Sequence, residues 1–147
     1  MNKIIILIVA LTLSACALTP ISTQLNSPLA PVSSEYLTTL FGGFLLNSGK
    51  PMYAMTYKII KPLPSDITLR VLFENPEENN TPFVTQVVPK EDEILVQSKP
   101  MEVIENKRNY KVIVELVKDN QVISTHVQHI RFDVPDEVLL QMGVTTI

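Results

Sequence analysis

Apolar and polar residues alternate with a period of two through most of the chain after residue 50. Tyr53, Met55, Tyr57 and Ile59 alternate with Ala54, Thr56 and Lys58; Ile67, Leu69, Val71 and Phe73 alternate with Thr68, Arg70 and Glu74; Tyr110, Val112, Val114 and Leu116 alternate with Lys111 and Glu115. Successive side chains of a strand point to opposite faces, so this pattern buries one face and wets the other, whereas a helix would repeat every 3.6 residues. Turn formers punctuate the runs at 47–51, 61–66, 75–82, 89–92, 105–109 and 118–121. Short strands about ten residues apart, with no helical insertion between them, predict antiparallel sheets packed face to face.

Seven candidate strands follow, near 37–46, 52–61, 66–74, 83–88, 93–104, 109–118 and 121–134. The fifth is expected to break at Pro100, which has no N–H for a ladder. The segment Tyr110-Lys111-Val112-Ile113-Val114-Glu115-Leu116 resembles the penultimate strand of immunoglobulin and fibronectin type III domains. That resemblance implies an all-β, antiparallel, seven-stranded immunoglobulin-like sandwich in which Tyr110 bonds its hydroxyl to backbone a few residues upstream. The chain has no tryptophan and a single cysteine, so the cysteine pair and tryptophan of antibody domains are absent. After Val134, the run Pro135-Asp136-Glu137-Val138-Leu139-Leu140-Gln141-Met142-Gly143 places a proline and acids at a helix start and a glycine at its stop, which predicts one short C-terminal helix.

The other end of the chain carries an address. Lys3 precedes the uncharged run Ile4 to Leu13, which is too short to span a bilayer, and Leu13-Ser14-Ala15-Cys16 follows it. This tetrad resembles the lipobox of bacterial lipoprotein precursors. The resemblance implies that a signal peptide helix within residues 1–15 is removed, with Leu13, Ser14 and Ala15 read by the signal peptidase, and that Cys16 becomes an acylated N-terminus. Each buried methylene contributes about 0.8 kcal/mol, so two or three acyl chains hold almost permanently where one does not. The residue after the cysteine is Ala17 rather than aspartate, which by the same resemblance implies attachment to the outer membrane, facing the periplasm. Residues 16–35 then form a Ser/Thr/Pro-rich tether with no charge between Thr19 and Ser34; at about 3.1 Å per residue it reaches up to roughly 50 Å from the bilayer. Residues 36–147 form the sandwich domain.

The residue types that do chemistry are sparse. His126 and His129 are the only histidines, and a separation of three on a strand puts them on opposite faces, unable to grip one metal. Ser124 shares a face with His126 but has no orienting acid, and there is no Gly-x-Ser-x-Gly elbow. Lipid attachment leaves Cys16 without a free thiol. The acidic loops 74–80 and 91–93 lack the spacing and glycine of an EF-hand. A formal net charge of -3, with Lys107-Arg108 as the sole basic knot, argues against nucleic acid as a partner. No catalytic residue, metal ligand or cofactor site is expected, and the protein is read as a non-enzyme.

What remains is surface. Leu72, Ile113, Val117 and Ile123 fall on faces that alternation assigns to solvent, and Leu139, Leu140 and Met142 form an apolar stripe on the terminal helix. An apolar second face of a sheet calls for a cover, from within the chain or from a partner. The expected function is that of a lipid-anchored interaction or scaffold module that binds an envelope protein. The alternative is a lipoprotein that binds a small ligand or inhibits an enzyme, because Ser48-Gly49-Lys50-Pro51-Met52-Tyr53 resembles the serine-glycine-tyrosine motif of lysozyme-inhibiting lipoproteins.

Overall fold

A computed structural model of the chain describes residues 34–78 and 80–147. The signal peptide, Cys16 and nearly all of the tether lie outside the described residues. The strands are β1 (Leu37–Asn47), β2 (Lys50–Ile59), β3 (Thr68–Phe73), β4 (Phe83–Val87), β5 (Glu93–Gln97), β6 (Arg108–Lys118) and β7 (Gln121–Phe132), followed by helix α1 (Asp136–Met142). They form two antiparallel sheets, ordered β1-β2-β5 and β4-β3-β6-β7. The described residues thus form a seven-stranded β-sandwich with a short C-terminal helix.

Two tight hairpins set the registers that the alternation requires. Ser48 and Gly49 sit at φ 52° and 79° between Asn47 and Lys50, and Asp119 and Asn120 at φ 49° and 62° between Lys118 and Gln121. Positive φ at both central residues matches the right-handed twist of the flanking strands, and Gly, Asn and Asp tolerate it best. The remaining connections between paired sheets are longer. Residues 60–67, 88–92 and 98–107 each carry the chain from one sheet to the other.

The fifth strand ends at Gln97 rather than near 104. The ladder stops short of Pro100, although Ser98 and Met101 on either side of it still donate their N–H groups to the Tyr53 and Pro51 carbonyls of β2, at 3.2 and 2.8 Å. Met101 and Ile104 are fully buried within the β5–β6 connection, where they fill the core from a loop. Ile104 is also tied to the C-terminus: its N–H donates to the Thr145 carbonyl and its carbonyl accepts from Ile147, both at 3.2 Å.

Aromatic rings from both sheets meet at the centre. Phe44 of β1 lies 4.8 Å from Tyr53 of β2, 5.7 Å from Tyr110 of β6 and 5.1 Å from Phe132 of β7, and Tyr53 stacks at 4.9 Å on Phe73 of β3. Tilted and edge-on pairs of this kind add about 0.5–1.5 kcal/mol each to the burial of their area. Buried tyrosines need partners for their hydroxyls. Tyr53 donates to the Glu74 carbonyl at 2.7 Å. Tyr110 donates to the Glu105 carbonyl at 3.1 Å and accepts from the Glu105 N–H at 2.7 Å, five residues upstream, so the corner bond expected of this tyrosine is present.

Past β7, Asn106 clips the chain: its side-chain amide donates to the Val134 carbonyl at 2.8 Å and accepts from the Val134 N–H at 3.0 Å. Pro135 then opens α1 and Gly143, left-handed at φ 65°, ends it. Replacing Tyr110 by phenylalanine leaves the Glu105 N–H and carbonyl without their partner in a partly buried loop. The expected loss is about 1–2 kcal/mol, read by urea unfolding as a lower midpoint at unchanged slope.

Candidate functional site

Cross-strand registers order the solvent-facing side chains of the four-stranded sheet into rows. Leu72 of β3 is opposite Val84 of β4 and Ile113 of β6, and Ile113 is opposite Val127 of β7. Val84-Leu72-Ile113-Val127 is therefore one apolar row across all four strands, with Val84 51% and Val127 46% exposed and the middle pair half-buried. The next row is polar: Gln86, Arg70, Glu115 and Thr125, joined at its centre by a 2.6 Å ion pair from Arg70 to Glu115. Beyond it Thr68, Val117 and Val122 form a mixed row. On the other side of the apolar row stand Lys111 and His129.

At that end the β3–β4 loop overhangs the sheet and closes a groove of about 490 Å³, walled by Leu72 and Ile113 below and by Glu78, Pro82, Lys111 and His129 around the rim. The loop is held by its own acids. Glu74 reaches Arg108 with one oxygen and accepts the Lys111 N–H at 2.8 Å with the other, Asn75 accepts the Glu77 N–H at 2.9 Å, and Glu77 accepts the Glu102 N–H. The acidic cluster seen in the sequence at 74–80 is thus largely occupied with positioning its own loop. Among the described residues no three of His, Cys, Asp and Glu come together as a ligand group.

Of the residues singled out from sequence, Leu72, Ile113 and Val117 share this outer face, and Leu72 and Ile113 touch as register partners. Ile123, 42% exposed, sits at the irregular step of β7 where Val122 pairs with Val117 and Ser124 with Leu116. Leu139 is a correction: it is 6% exposed and belongs to the core, because the short helix must bury one residue to stay docked. Leu140 is 83% exposed and Met142 half-buried, at the end of the sandwich beside the β1–β2 hairpin, where the Met142 carbonyl approaches Gly49. Val84 and Val127 join the row only through cross-strand register, which no local pattern in the sequence signals. Leu13, Ser14, Ala15 and Cys16 lie outside the described residues.

The serine-glycine-tyrosine resemblance does not make a site. Ser48 and Gly49 form a hairpin tip, while Tyr53 is fully buried with its hydroxyl bonded to Glu74. Burial pushes the Tyr53 hydroxyl far above the ordinary phenol range, helped by the Glu74 carboxylate, so it stays a neutral donor.

His126 and His129 do point to opposite faces. His129 joins the groove rim, and His126 turns inward toward a small polar cluster between the sheets. There Thr39 donates to Gln128 at 2.7 Å and Gln128 donates to Tyr57 at 3.0 Å, with the His126 ring edge-on to Tyr57 at 6.2 Å. Among the described residues the buried His126 Nε2 has no hydrogen-bond partner. Burial holds the imidazole below its ordinary value of 6.5.

Comparison with known protein families finds no matching family model, and comparison with curated proteins finds no similar sequence.

Because its folded pKa lies below the unfolded one, His126 leaves stability intact above about pH 6.5 and lowers it as the pH falls through that value, where the unfolded chain takes up a proton that the folded chain resists. Thermal unfolding between pH 7.5 and 5 should show this decline, and His126→Leu should flatten it.

Proposed function

We propose that the chain is a lipid-anchored envelope protein whose sandwich is a non-catalytic module for binding another envelope protein. The observation that carries this reading is the apolar row Val84-Leu72-Ile113-Val127, which crosses a whole sheet on the face that the sandwich core does not use. Monomeric proteins seldom order apolar side chains into one continuous exposed row without a use for it. The charged and polar rows on either side give a partner its orientation, while the apolar row gives it contact area. The lipobox supports attachment through acylated Cys16, Ala17 supports the outer membrane, and the uncharged tether supports a domain held within reach of its partner. A ligand-binding reading has one observation in its favour, the groove of about 490 Å³ under the β3–β4 loop, and a thermal shift on adding its ligand would distinguish it.

Two outcomes test the proposal. Ile113→Lys sets a charge in the middle of the row; it should abolish recovery of the partner from solubilised envelopes while the melting temperature stays within a few degrees of the parent. Partner recovery that survives Ile113→Lys, or a variant that unfolds, places the row outside the binding role. For the anchor, Cys16→Ser should move the protein from the membrane to the soluble envelope fraction.

A further inference from the structure

Among the described residues the two sheets have four edge strands, and three of the four are protected against pairing with a foreign strand. β4 is five residues long between Pro82 and Pro89, and its Thr85 hydroxyl is bonded to the Gln97 carbonyl at 2.8 Å. β5 is equally short, follows Glu91-Asp92, opens on Glu93 and is followed by Lys99-Pro100. β1 is interrupted by a bulge between Thr39 and Phe41. Short length, proline, charge and bulges are the standard guards of a sheet edge. β7 is twelve residues long, or about 40 Å, and has no proline, lysine or acid; its only irregularity lies at the hairpin end, and its only charged residue is Arg131.

The ladder determines which groups this edge offers. The Glu74 N–H donates to the Lys111 carbonyl, so odd-numbered residues of β6 aim their backbone groups at β3. Even-numbered ones then aim at β7, and Val112 and Val114 make the hydrogen-bonded pairs with Gln128 and His126. The alternate residues of β7, Thr125 and Val127 among them, therefore turn both N–H and C=O away from the sheet.

We infer that this edge pairs antiparallel with β7 of a second copy of the chain, about a two-fold axis at Val127. An isologous contact needs a self-complementary surface. Val127 presents a donor and an acceptor on the same side, so the two copies exchange both bonds at the axis. The strand is uncharged from Gln121 to Ile130, so no like charges oppose each other. The axis position follows from the outer face: Val127 ends the apolar row, and a two-fold there joins the rows of both copies into one continuous line across the four strands of each. Other registers break that line. The pairing goes beyond the proposed function, since it requires neither the anchor nor a different protein.

Val127→Pro tests it without touching the β6 ladder, because the N–H it removes points to the edge. Sedimentation equilibrium of the full chain in density-matched detergent should give a dimer for the parent and for Val127→Thr, and a monomer of unchanged circular dichroism for Val127→Pro. As a second reading, hydrogen-bonded antiparallel partners lie about 5.5 Å apart at Cα, within disulfide reach. Val127→Cys should therefore form a covalent dimer on mild oxidation, and Gln86→Cys on the opposite edge should not. A parent chain that is monomeric up to about 0.1 mM overturns the inference, as does a Val127→Pro dimer or a Val127→Cys chain that fails to cross-link.

Discussion

The two sheets are held together by the cluster of Phe44, Tyr53, Phe73, Tyr110 and Phe132, and the rest of the structure depends on it. With one cysteine, the described domain has no internal disulfide to constrain its unfolded state, so packing must supply the stability. Two of the five rings carry hydroxyls that must be paired inside, and both bond backbone in the loops that leave β3 and precede β6. The core thereby fixes loop conformation as well as sheet spacing. Glu74 takes part twice: its carbonyl accepts from Tyr53, and its carboxylate holds Arg108 and the Lys111 N–H, which anchors the overhang of the outer groove.

A core completed in this way needs nothing from the outer face of the four-stranded sheet. The apolar row there lies outside the buried cluster, and the Arg70–Glu115 pair beside it, partly exposed, is worth at most about 1 kcal/mol. Among the described residues, the surfaces that remain for function are that row, the groove above it and the outer edge of β7. The row and the edge meet at Val127, whose side chain ends the row and whose backbone forms the edge.

Much of the fold was legible because β2, β3 and β6 keep strict alternation against a single core. Tyr110 was legible as a corner residue because its position before an alternating run fixes where its hydroxyl goes. Other features needed the third dimension. The sequence near 101–104 looks like strand, but Met101 and Ile104 are buried from a loop, and a one-dimensional pattern cannot separate burial in a ladder from burial beneath one. β7 places Gln128 and His126 inside, so polarity there does not mark the wet face. Leu72 and Ile113 were visible as apolar residues on a solvent face, whereas Val84 and Val127 join them only through register between strands distant in sequence. Leu139 fell to the core because a seven-residue helix has little else with which to dock.

The sandwich packs its core without drawing on its outer row or its β7 edge. Amide hydrogen exchange on the full chain at high dilution tests this directly. Amides in the ladders of β2, β3 and β6 should exchange only through global unfolding, while the edge-facing amides of Thr125 and Val127 should exchange close to their unprotected rates beside slow neighbours at His126 and Gln128. Global-level protection of Thr125 and Val127 in the dilute chain would contradict it, because the edge would then be covered by the protein's own residues.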